Sequence, residues 1–183
     1  MRLGEDSEHD PLAFERSRVV IYVEGPGPSK PVHGSMRQIG RRFSPDVLAI
    51  PVGSIVSFPN MDPIFHNVFS LSKAKAFDLG NYTKGDSREV TFARPGVVSV
   101  DCDLHPNMAA TIVVTPNQWY AQADRMGKFA INDIPPGEYT VVAWHKAAGS
   151  FRKHVQIKER TGAKIGFFLP IGDDESIQRQ GEK

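Results

Sequence analysis

The sequence predicts an all-β chain, and three observations carry that expectation. First, 14 Pro and 16 Gly punctuate the 183 residues, and both types favour turns over element interiors. Second, the apolar runs between them are short. Third, several runs are rich in β-branched residues, such as Val19-Val20-Ile21-Tyr22-Val23 and Ile112-Val113-Val114, which suit strands. The length allows one or two domains. Apolar residues make up 40% and charged residues 23%, as in ordinary globular chains. The net charge of +1 marks no nucleic-acid or anionic-membrane partner.

The elements follow in order. Residues 1–16 are polar and acid-rich and read as a loose arm. Residues 17–35 hold the strand Val19–Val23, ended by Gly25-Pro26-Gly27-Pro28, and a turn-rich linker. Met36 to Arg42 reads as the first strand of a larger unit spanning residues 36–116. Val47–Ile50 and Ile55–Phe58 follow, parted by Pro51-Val52-Gly53. Next come His66 and the strand Asn67–Ser70. Residues 71–87 read as a loop without a clear period. Glu89–Phe92 and Val97–Cys102 are strands, and Ala110–Thr115 is the last of this unit.

After Pro116 the pattern changes. Asp124 to Phe129 reads as a hairpin turn, and Ile134-Pro135-Pro136-Gly137-Glu138-Tyr139 as a turn into the strand Thr140–His145. Phe151–Lys158 and Lys164–Leu169 are two more expected strands. Residues 117–170 thus form a second β module, and 171–183 a polar tail.

The chemistry concentrates in Cys102-Asp103-Leu104-His105-Pro106-Asn107-Met108, a short connection between two strands. It places a thiol, an imidazole and a thioether at C-x2-H-x2-M spacing. His66 lies 36 residues before Cys102 (102 − 66). Two His, one Cys and one Met are the donors of a trigonal copper site with a weak axial thioether. The softer Cu(I) favours sulfur, and both oxidation states accept imidazole, so little moves when an electron arrives. Zinc would accept the Cys and both His, but Met adds nothing to its usual donor set. The plainer alternative makes Cys102 a buried core thiol and Met108 a core filler. Met61, shortly before His66, is a weaker choice of axial donor than Met108.

The loop resembles the ligand loop of the cupredoxins, the small blue copper proteins, and most of all the C-x2-H-P-x-M loop of the amicyanins. His66-Asn67, the run Phe43–Asn60 and Phe92-x-x-Pro95-Gly96 extend the resemblance over roughly residues 36–116. It implies a Greek-key β-sandwich with one type 1 copper held by His66, Cys102, His105 and Met108. It also implies that Asn67 ties the His66 strand to the Cys loop. The electron port would be the imidazole edge of His105, amid Leu104, Pro106 and Asn107. Asp124-x-x-Gly127-x-Phe129 and Ile134-Pro135-Pro136-Gly137-x-Tyr139-x-Val141 resemble the carboxypeptidase-regulatory-like, transthyretin-like module. The first half of that module usually contains a strand like Val19–Val23. The 36–116 unit therefore reads as inserted into it, with tandem domains as the alternative.

The reading is a carrier of single electrons, not an enzyme. The resemblance implies a redox partner such as a c-type cytochrome or a periplasmic dehydrogenase. A copper carrier or sensor using the same site, and a metal-free cupredoxin-like module, are the rivals. Asp101 and Asp103 flank the Cys, and their charge favours Cu(II). No P-loop, G-x-S-x-G or paired-carboxylate signature is present. No run is long and apolar enough for a transmembrane helix, and the N-terminus shows no signal-peptide h-region. The resemblance alone implies the periplasm, with the signal already removed. The single Cys leaves the redox compartment open.

Overall fold

The computed structural model describes residues 11–159 and 162–170, and over them the all-β expectation holds. One short helix, α1 (Pro11–Arg16), precedes fourteen strands. These are β1 (Val20–Val23), β2 (His33–Ser35), β3 (Arg37–Gln38), β4 (Phe43–Ser44), β5 (Val47–Pro51), β6 (Ile55–Pro59) and β7 (His66–Ser72), then β8 (Lys75–Tyr82), β9 (Ser87–Thr91), β10 (Gly96–Asp101), β11 (Ala109–Thr115), β12 (Tyr120–Gln122), β13 (Gly137–His145) and β14 (Gly149–Ile157). The polar tail 171–183 and the first ten residues lie outside the described residues.

The chain divides into two compact units. One is Val23–Tyr120, and the other joins Met1–Tyr22 to Ala121–Lys183. In the first, a five-stranded sheet runs β5-β11-β10-β7-β8 and a three-stranded sheet runs β2-β6-β9. The β5–β11 and β2–β6 pairs are parallel. The β10–β11 pair is antiparallel, with Val98 opposite Ile112 and Val100 opposite Ala110. Alternate residues of each strand face one side of a sheet. Val98, Val100, Ile112 and Val114 thereby join Met36, Phe43, Val56, Phe58, Val90 and Phe92 in one buried core. Phe58, Phe77 and Phe92 stack through it, with ring centroids 5.9 and 6.2 Å apart. This is the cupredoxin-like β-sandwich that the ligand loop implies.

Two readings of this unit need correction. Residues 71–87 are not an open loop, because they contain β8, an edge strand paired with β7. Its alternation is Phe77 and Leu79 inward, Ala76 and Asp78 outward. Gly80 breaks it: two residues of β8, Leu79 and Gly80, face the single Val68 between the Asn67–Asn81 and Phe69–Asp78 pairs. Gly80 has φ 63°, the left-handed conformation that such a bulge requires and that glycine supplies cheaply. The bulge resets the phase and turns Tyr82 inward, opposite His66. The Tyr82 hydroxyl donates to the Phe58 carbonyl at 2.7 Å and accepts from Gln38 Nε2 at 2.6 Å. Burial pushes its pKa up to about 12.

The second correction concerns Met36 to Arg42. It is not one strand but β3 and a tight turn into β4, in which Ile39 and Arg42 exchange backbone hydrogen bonds of 2.9 and 3.2 Å. Gly40 and Arg41 both have positive φ, 61° and 56°, as a two-residue type I′ hairpin needs.

In the second unit the sheet order is β12-β1-β13-β14. β1 lies inside it, with Val20, Ile21 and Val23 each at most 1% exposed. β13 and β14 pair over nine residues each. Residues 11–16, expected in a loose arm, are helical. The partly exposed Glu15 of α1 accepts a hydrogen bond from buried His145 Nε2 at 3.0 Å and another from Arg18 at 2.6 Å. Lys164–Leu169, expected as a strand, has no ladder partner among the described residues, although Ile165, Phe167 and Leu169 are each half-buried.

Candidate metal centre

Three of the four expected ligands come together. His66 opens β7, Cys102 follows β10, and His105 lies in the turn between β10 and β11. One donor atom from each lies within 4.8 Å of the others. His66 Nδ1 and His105 Nδ1 are 3.1 Å apart, and Cys102 Sγ is 3.8 Å from His105 Nδ1. Nitrogen and sulfur donors at about 2.0–2.3 Å from a first-row metal ion, arranged in a plane around it, sit roughly 3.5–3.8 Å apart. The cluster is therefore close to the size that a trigonal site requires, and its donor set fits copper.

Met108 is buried in the same core cluster as Cys102. Its amide donates to the His105 carbonyl at 2.9 Å, which closes the ligand loop into a turn. Met61, by contrast, is 47% exposed. Leu104, Pro106 and Asn107 are exposed around the half-buried His105.

Asn67 takes a different place from the one expected. Its amide Nδ2 donates to Asp78 Oδ1 at 2.8 Å, tying β7 to β8 and not to the Cys102 loop. Its Oδ1 is buried without a partner. The Gly80 amide also donates to Asp78, at 2.8 Å. These two donors hold the Asp78 carboxyl below the usual carboxylate range.

Asp62 is the residue that sequence reasoning missed. It is buried, and its Oδ2 accepts from His66 Nε2 at 2.9 Å. The same carboxylate accepts the amides of Gly40 at 2.7 Å and Arg41 at 2.8 Å. Burial raises its pKa, but the Arg41 amide, His66 and the Gly40 amide outweigh this and leave it below the ordinary value. A carboxylate on Nε2 keeps the proton there and turns the Nδ1 lone pair toward Cys102 and His105, which fixes the tautomer that a metal needs. His105 is affected oppositely. Desolvation, then His66 and Arg41, lower its pKa, and Asp62 opposes them. Its imidazole thus stays neutral, and available as a donor, at lower pH than a free histidine.

Asp62→Ala is expected to release the His66 ring and weaken metal retention about 10- to 100-fold, read by competition with a chelator. Asp62→Asn, which can still accept from Nε2–H, should recover part of that loss. Equal retention in all three proteins would show that the carboxylate does not set the ligand.

Fold and cluster together define a β-sandwich carrying a His–Cys–His donor group at one end. Several solved structures are similar to this chain. The copper-containing nitrite reductase of Thermus scotoductus SA-01 is 27% identical with a TM-score of 0.43, over 50% of this chain and 24% of that one. The chain thus spans about a quarter of that enzyme. A purple cupredoxin from Nitrosopumilus maritimus is 27% identical with a TM-score of 0.40, over 44% of this chain and 98% of that one. A reduced amicyanin variant is 19% identical with a TM-score of 0.42, over 51% and 97%. A family model described as polysaccharide lyase family 4, domain II, matches residues 96–167. That range is under half of the chain and crosses from one unit into the other. Its description differs from the carboxypeptidase-regulatory-like resemblance carried by the motifs of residues 124–129 and 134–141. No curated protein matches the chain. Among the described residues, no helix is long and apolar enough to cross a membrane.

Proposed function

We propose that the protein binds one copper ion of type 1 character and carries single electrons between redox partners, and that it is not an enzyme. The observation that carries this reading is the meeting of one donor atom each from His66, Cys102 and His105 within 4.8 Å, with His66 held by Asp62. Copper, when bound, supplies the one-electron chemistry. The chain supplies the rest. Cys102 would supply the sulfur donor from within the core, and His66 and His105 the two imidazole nitrogens. Met108, buried in the same core cluster as Cys102, is the proposed weak axial donor. The sandwich core behind the cluster excludes water and resists rearrangement, which keeps the donor geometry similar in both oxidation states. The half-buried His105 is the proposed port. The partner would be a redox protein such as a c-type cytochrome or a dehydrogenase, and the compartment the periplasm. Both rest on the cupredoxin resemblance. The second unit is proposed as a carboxypeptidase-regulatory-like module interrupted by the copper unit, supported by the place of β1 in its sheet.

The test is an optical and EPR spectrum after copper addition. An intense thiolate-to-copper band in the visible, bleached by ascorbate and restored by air without loss of metal, is the expected result. A colourless protein that holds zinc in preference would refute the copper reading. Copper that leaves readily for a Cu(I) chelator on reduction would favour the carrier or sensor.

A further inference from the structure

Asp62 does more to the donor group than fix a tautomer. Its carboxylate is buried, and the partners it bonds are N–H donors. Oδ1 accepts the Gly40 amide at 2.7 Å. Oδ2 accepts the Arg41 amide at 2.8 Å and His66 Nε2 at 2.9 Å. A protonated carboxyl would have to donate a hydrogen of its own, and these three partners give it no acceptor. Hydrogen bonds to an ionised carboxylate are stronger than neutral ones. They hold a full negative charge across the His66 ring from Nδ1, which faces His105 Nδ1 at 3.1 Å.

The carboxylate is also fixed in place. The Asp62 amide donates to Asn60 Oδ1 at 2.9 Å. Asn60 is wholly buried, and its Nδ2 donates to the carbonyls of Ile64 at 2.9 Å and Tyr82 at 3.0 Å. Between them, the Met61 amide donates to the Gln38 carbonyl at 2.9 Å. The segment that carries Asp62 is thus clamped, and its charge stays put when the charge of the donor group changes.

A fixed charge discriminates between oxidation states. In a centre of one thiolate and two imidazoles, Cu(II) leaves one net positive charge and Cu(I) leaves none. A buried anion attracts the first and is indifferent to the second, and the attraction grows away from water. Asp103, beside Cys102, acts in the same sense, but it is exposed and screened by water and salt.

Resting on the electron-carrier reading, we infer that Asp62 is a positioning residue that also sets the redox potential of the centre. Its fixed charge favours the oxidised state and holds the potential at the low end of what the donor set allows.

The test is a spectroelectrochemical titration of the full copper-loaded chain, with Cu(II) and Cu(I) affinities measured by chelator competition. The centre takes up or releases one electron, and no bond is made or broken. A role in positioning alone weakens both oxidation states alike and leaves the potential where it was. The charge predicts a split. Asp62→Asn, which keeps an acceptor for Nε2–H, should lose Cu(II) affinity about tenfold and Cu(I) affinity hardly at all. The potential then rises by about 59 mV, the one-electron equivalent of a tenfold ratio. The rise should persist between about 10 and 200 mM salt, because a buried charge is screened little. Equal losses in both oxidation states, an unchanged or lower potential, or a rise that salt abolishes overturns the inference, while a surviving visible band leaves the copper reading intact. The reduced wild type supplies a second measurement that needs no variant, since Cu(I) is diamagnetic. The His66 Nε2 proton should give a slowly exchanging, low-field resonance in its proton–nitrogen NMR spectrum. Its absence, or rapid exchange with water, overturns the inference as well. A wild type without the visible band is a failure of the copper reading itself, and this inference falls with it.

Discussion

Cys102→Ala protein is expected to stay nearly colourless on copper addition, where the wild type turns intensely blue or green. The visible band of such a site arises from charge transfer out of a coordinated thiolate, and Cys102 is the chain's single cysteine. Cys102 is 5% exposed, and its sulfur stands 3.8 Å from His105 Nδ1. Removing it leaves two imidazoles and a thioether. These can still bind Cu(II), but only with the faint absorption and wide copper hyperfine splitting of nitrogen and oxygen ligation. The substitution removes one small buried group, so the sandwich should still fold. The destabilisation should be at most a few kcal/mol, in the low range of buried large-to-small changes. Circular dichroism checks this independently. An intense band that survives in the variant would exclude Cys102 as the ligand.

The site was legible in the sequence to the extent that chemistry restricts residue type. A Cys, a His and a Met within one strand connection have few common purposes, and adding a distant His leaves fewer. Asp62 was not legible. A carboxylate four residues before a histidine is ordinary, and its meaning comes from the Gly40 and Arg41 amides some twenty residues earlier, which only the folded chain delivers. Asn67 misled for the complementary reason. The resemblance fixed its position beside His66, but its amide partner depends on a neighbouring strand, β8, whose existence was itself missed. That strand hides because Lys75 on its inward phase and Ala76 on its outward one blur the apolar alternation, and Gly80 shifts its phase halfway. Lys164–Leu169 erred the other way. Its alternation is real, since alternate side chains are half-buried, but a strand also needs a neighbour to exchange backbone hydrogen bonds with, and no periodicity reports that.

Deleting residues 1–22 is expected to unfold the β12-β1-β13-β14 sheet while residues 23–120 keep the His66–Cys102–His105 donor group and the copper binding proposed for it. β1 is an internal strand of that sheet, between β12 and β13, and Val20 and Ile21 are buried. Without it, β12 is a three-residue strand with no neighbour. β13 and β14 are left as a lone hairpin, and two-stranded hairpins are marginal in water. Val141, Val142, Ala143 and Trp144 of β13, all buried in the intact chain, would lose their cover on that side. Glu15, which accepts from buried His145, would go with the deleted segment and leave that imidazole without its carboxylate, a further cost of about 1–3 kcal/mol. The other unit keeps what closes it. The Val23 amide still donates to the Trp119 carbonyl at 2.9 Å, and buried Asn117 Nδ2 still bonds the carbonyls of Val23 at 2.9 Å and Gly25 at 3.0 Å. Limited proteolysis with mass spectrometry should therefore show residues 121–170 cut rapidly and 23–120 resistant, with the visible band unchanged. A truncated chain in which 121–170 resists protease as before would deny β1 its structural role. Loss of the band together with the sheet would show that the copper unit depends on β1 as well, as in the tandem arrangement where that strand belongs to it.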